Sequence, residues 1–197
     1  MRTQLVGRRP TRKLALLAAI AVSLTACGDD DGSSGRGGGA STPEQYAQRM
    51  CGAASTWMTA LEDRNTQLQG DLGGAQTGDL EAVKELTVSF LNGAAQDTET
   101  LIDDVSAIPP PDVDDGDQIH DGVLSAFTQA RDLFMDARDQ VSELDTSDPQ
   151  AFTEALTTLG TTLTSAGTEI AGSVQGLEND ELDAAFEDTP ACAEVSA

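Results

Sequence analysis

Four stretches of this chain repeat apolar side chains at steps of three and four residues, and none alternates apolar with polar at every second position. That spacing is the period of an α-helix, whereas a half-buried strand needs a period of two, so it constrains the fold more than any other feature. The first stripe is Tyr46, Met50, Ala53, Ala54, Trp57, Leu61 and Leu68, opened by Thr42-Pro43-Glu44-Gln45. Thr42 suits a cap, Pro43 the first helical position and Gln45 the reciprocal arm of a capping box. A helix from Pro43 to about Gln69 is predicted, with Gly70, Gly73, Gly74 and Gly78 making the loop that ends it.

The second stripe opens at Asp79, a cap with Glu81 in the first turn, and runs through Leu80, Val83, Phe90, Leu91, Ala94, Ala95, Leu101, Ile102, Val105 and Ile108. Pro109-Pro110-Pro111 stops it, because three prolines lack the amides a helix needs and favour a stiff extended turn. A third helix is expected from about Asp112 to Leu144, with Asp112, Asp114, Asp115 and Asp117 crowded where the helix dipole favours negative charge. Val113, His120, Val123, Leu124, Phe127, Ala130, Phe134, Ala137, Val141 and Leu144 form its apolar side.

Ser147-Asp148-Pro149-Gln150 repeats the cap signature, and Phe152, Leu156, Leu159, Leu163, Ala166, Ile170, Val174 and Leu177 mark a fourth helix. Its threonines and glycines lower intrinsic propensity, so this helix should depend on packing. A short terminal turn carrying Leu182, Ala185 and Phe186 then leads to Cys192. The expected fold is all-α, an antiparallel up-and-down four-helix bundle.

Ahead of this body stands a different kind of sequence. Arg8, Arg9, Arg12 and Lys13 are followed by Leu14 to Leu24, an uncharged run of 11 residues that is too short to span a bilayer and fits a signal-peptide core. The run ends at Leu24-Thr25-Ala26-Cys27, which resembles the lipobox of bacterial lipoproteins. The resemblance implies that a diacylglyceryl group is transferred to the Cys27 sulfur and that cleavage follows just before it. Residues 1–26 are then a removed signal peptide, 27–41 a lipidated Gly/Ser/Asp tether, and 42–197 the helical ectodomain. The glycines of the tether have no flanking strand and no Gly-Lys-Ser/Thr ending, so they are not a phosphate loop.

Five of the 11 Lys and Arg precede Cys27, leaving 6 basic against 34 acidic residues and a net charge of −28 in the mature chain. Such a surface is repelled by nucleic acid and by anionic headgroups, so membrane attachment is expected through the lipid alone. Two acyl chains hold a protein stably where one holds it marginally. Outside the cytoplasm disulfides persist, and once Cys27 is given to lipid, Cys51 and Cys192 remain as an even pair.

Together with the lipobox, the Tyr46 to Trp57 segment around Cys51, the Pro-Asp-Val-Asp-Asp-Gly-Asp run from Pro111 to Asp117 and the final Pro190-Ala191-Cys192 are similar to small actinobacterial lipoproteins. That resemblance implies a cell-membrane location on the extracytoplasmic face and a helical fold, without an activity.

Chemical sites are sparse. Asp112, Asp114, Asp115, Asp117 and Asp121 are the only metal candidates, yet placing Gly116 at the sixth position of a calcium loop puts Pro111 first and Val113 third, where oxygen ligands are required. His120 is the only histidine, without a nucleophile elbow to serve, so no catalytic residue and no cofactor are expected. Tyr46 and Trp57 share a helical face and are the candidates for lining a small apolar ligand site, a role weighed against core packing. The function expected is a noncatalytic interaction module that docks an envelope protein or cell-wall component. The alternative is an extracytoplasmic carrier or sensor for a ligand or cation.

Overall fold

The computed structural model describes residues 39–74, 78–175 and 179–195. The lipobox with Cys27, the leader and residues 27–38 of the tether lie outside them, as does Leu177. Among the described residues six helices follow one another: α1 (Pro43–Gly74), α2 (Leu80–Ser106), α3 (Gly116–Ser142), α4 (Pro149–Gln175), α5 (Asp180–Asp188) and α6 (Pro190–Val195). Among the described residues there is no strand, only an isolated bridge between Ser41 and Pro111. The protein is all-α. No helix among these residues is long and apolar enough to cross a membrane.

The helix starts follow from the caps. At α1 the Thr42 amide donates to Gln45 Oε1 at 3.4 Å and the Gln45 amide to Thr42 Oγ1 at 3.3 Å, a reciprocal box with Pro43 inside it. Asp79 Oδ1 accepts from the Ala82 amide at 3.0 Å, and Asp148 Oδ1 from the Gln150 and Ala151 amides at 3.0 and 3.1 Å. Asn179 caps α5 in the same way through the amides of Glu181 and Leu182.

Three boundaries differ from the sequence reading. First, α1 runs on through Gly70, Gly73 and Gly74 instead of ending near Gln69. Glycine weakens a helix by about 1 kcal/mol without ending it, and among the described residues the left-handed φ that breaks this region comes only at Gly78. Second, Asp112 to Asp115 precede α3 rather than forming its first turn. Asp115 sits at φ 59, which a right-handed helix excludes, and the Asp112 amide is drawn to the Ser41 carbonyl at 2.8 Å. Third, Ile108 and Leu144 lie just past the ends of α2 and α3, Ile108 being buried from that position.

The core is divided along the helices. One cluster gathers Tyr46 and Met50 from the start of α1, Leu101 and Val105 from the end of α2 with Ile108 after it, Ile119 and Val123 from the start of α3, and Leu182 from α5. A second, around Leu91 of α2 with Ala137 and Val141 of α3, receives Leu156, Leu159 and Leu163 from α4. A small third cluster joins Ala47 and Cys51 to Ala185 and Cys192. α1 thus packs on α2, α5 and α6, while the main contact of α4 is with α3.

Candidate functional site

The end of the fold where the chain enters is built from pinned elements. The Ser41 amide donates to the Pro110 carbonyl at 2.8 Å, and the Ser41 hydroxyl to the Pro109 carbonyl at 3.0 Å. Ser41, which composition groups with the glycine-rich stretch, is therefore buried against the triple-proline turn. Gly116 lies against the same turn, where an added Cβ would stand 2.0 Å from the Pro111 carbonyl oxygen. This glycine is required by a close backbone approach.

Cys51 and Cys192 form a disulfide, with Cα atoms 5.0 Å apart and a sequence separation of 141. The cysteine is delivered by α5 and α6, which fold back along the start of α1, rather than by the end of α4. The sequence expectation of a terminal turn carrying Leu182, Ala185 and Phe186 corresponds to α5, with Leu182 and Ala185 buried.

Tyr46 is 1% exposed, and its hydroxyl faces His120 Nδ1 at 3.1 Å across a 5% exposed imidazole. Burial pushes the Tyr46 phenol up to about 12, so it stays protonated. Burial also lowers the His120 imidazolium below the usual histidine range, against the opposing charges of Asp121 and Asp117. Trp57 donates its indole N–H to Thr98 Oγ1 at 3.0 Å and meets Phe127 at a ring separation of 6.2 Å. The two aromatic ligand candidates therefore spend their polar atoms inside the protein.

The acidic candidates are not brought together. Asp112, Asp114, Asp115, Asp117 and Asp121 are all exposed, and no group of three or more His, Cys, Asp or Glu side chains among the described residues is placed to hold a metal ion. Asp112 and Asp114 instead line an open cleft of about 450 Å³ with Asn179, Asp180 and Glu181. Asn179 Nδ2 donates to the Asp114 carbonyl at 3.4 Å, tying the two segments by side-chain amide and main-chain carbonyl.

Sequence reasoning passed over a second polar anchor. The Arg64 guanidinium forms a forked ion pair with Asp97, its Nη2 reaching Oδ1 at 2.9 Å, and it crosses α2 directly over Gly93. The hydrogen bond to Asp97 raises the Arg64 pKa further. The signal was available: Arg64 falls in the stripe step between Leu61 and Leu68, and Gly93 stands one turn before Asp97.

The surface of α4 is of another kind. Among its described side chains only Phe152 is buried, and its 27 residues carry just two charges, Glu154 and Glu169. Thr153, Thr157, Thr158, Thr161, Thr162, Thr164 and Thr168 each donate to the carbonyl four residues earlier, leaving a neutral surface of methyl groups and satisfied hydroxyls. Thr158, Thr161, Thr162, Ser165, Ala166 and Glu169 line a groove along it. Compared with known proteins, the chain matches no family model, no curated protein and no solved structure.

Proposed function

We propose that this chain is a cell-envelope lipoprotein, anchored by a diacylglyceryl group on Cys27 to the extracytoplasmic face of the membrane. Its helical body is a noncatalytic module that docks another envelope protein or a cell-wall component. The observation that carries the docking reading is α4. In a chain whose mature part has a net charge of −28, this helix offers a long exposed surface with two carboxylates and no cation. A partner approaching it sheds little water from charged groups, so apolar and hydroxyl contacts there cost little desolvation.

The architecture that goes with this reading is four long helices alternating in direction, with α5 and α6 as a strap on α1. Its support is the sharing of one cluster by the start of α1, the end of α2 and the start of α3, and of another by the middle of α2, the end of α3 and the first half of α4. The carrier reading has less behind it, since Tyr46 and Trp57 are bonded internally and the carboxylates do not converge.

A photoreactive residue at Thr157 or Thr161, both exposed on α4, tests the docking reading in intact cells against a control at exposed Gln96 of α2. The expected outcome is a discrete adduct from the α4 positions and none from the control. Adducts from neither α4 position, or equal adducts from all three, contradict it. The anchor is tested separately: Cys27→Ser should release the protein or leave its precursor uncut, and normal processing with unchanged membrane binding contradicts lipidation.

A further inference from the structure

We propose that the buried Tyr46–His120 pair is an acid-sensitive latch, which loosens the end of the fold built around Tyr46 when the surroundings turn from neutral to mildly acidic. His120 is the only histidine in the chain, and both Cys51 and Cys192 are held in the disulfide. Imidazole is the side chain whose ordinary titration falls between about pH 5 and about pH 8, so acidification in that window acts on the described fold through one group. The carboxyls of Glu44 and Asp145 are shifted down, away from that window, in each case first by a backbone hydrogen bond.

The geometry explains why protonation there is unfavourable. In the neutral tautomer with its proton on Nε2, Nδ1 accepts from the Tyr46 hydroxyl. Adding a proton turns Nδ1 into a donor, so the phenol must rotate to accept and its own O–H loses that acceptor in a buried place. Asp117 and Asp121 on α3 favour the cation, α1 supplies the neutral phenol, and the adjoining cluster draws apolar Leu101 and Val105 from α2 and Leu182 from α5. Burial prevails over the two carboxylates in the direction of the His120 shift.

The sign follows from linkage. A histidine whose folded pKa lies below its unfolded value binds more protons when unfolded, so stability present above about pH 6.5 is lost as pH falls through the folded pKa. The Cys51–Cys192 bridge keeps α6 on α1 throughout, which makes the response a local opening rather than release of the strap.

The test uses the full chain purified in mild detergent without a histidine tag, so that one imidazole signal is present in the NMR spectrum. His120 is expected to titrate below about pH 6.5. The melting temperature should fall between about pH 7.5 and about pH 5.5, and in His120→Gln it should be flat across the same range. Because the comparison is of pH dependence, a variant of lower overall stability still reports, and His120→Phe serves if the glutamine does not fold. Titration at or above the ordinary value, or the same pH dependence in wild type and in the folded variant, overturns the latch.

Discussion

The end of the molecule where Ser41 enters and the surface of α4 are made from the same alphabet of small, polar and aliphatic residues, yet they are held by different means. At the entry end, each element is located by a contact that admits one geometry: a serine amide on a proline carbonyl, a glycine against a carbonyl oxygen, a phenol on an imidazole, a disulfide. α4 has one buried phenylalanine and half-buried leucines, and its threonine hydroxyls are returned to its own backbone. Directional contacts specify position, whereas satisfied hydroxyls and sliding apolar contacts leave a helix free to be approached. The difference divides the body into a located scaffold and an available face.

The contrast is open to attack from both sides. Replacing Cys51 and Cys192 together by alanine should cost about 5 kcal/mol by chain entropy, read as a lower urea midpoint. Phe152→Ala should cost about 3 kcal/mol in the protection of α4 amides, with little change at Leu101 or Val105 if α4 opens by itself. Gly116→Ala sets a methyl against the Pro111 carbonyl and is expected to cost about 2 kcal/mol, seen as a lower melting temperature. The smallest effect has the opposite sign. Changing Thr157, Thr161 and Thr164 to alanine should slow exchange in α4 by about 0.5 kcal/mol per residue, because these side chains are exposed and their hydroxyls are returned to their own helix.

Much of the scaffold was legible in sequence because local chemistry decided it. The boxes at Thr42 and Gln45, Asp79 and Asp148 each satisfy amides that a helix start leaves unpaired, and the parity of Cys51 and Cys192 matched them once Cys27 was assigned elsewhere. What escaped depended on distant partners. Ser41 looks like linker until the Pro110 carbonyl is beside it, and the aspartates before Gly116 look like a helix start until the Ser41 carbonyl takes the Asp112 amide. The same holds for the site: Tyr46 and Trp57 were recognisable as inward-facing, but their hydrogen-bond partners His120 and Thr98 lie 74 and 41 residues away. The acidic candidates are adjacent in sequence but split between the segment before α3 and the helix itself, all exposed, and no three of them are grouped to hold a metal ion among the described residues.

The division into scaffold and face is tested most directly by hydrogen exchange of the chain in its own cell membranes, compared with the same chain purified in detergent. The proposed docking through α4 predicts that its amides exchange more slowly in the membranes than in detergent, while those near Tyr46, Leu101 and Val105 exchange alike in both. Identical exchange of α4 in the two settings, or slowing confined to α2 and α3, would contradict it.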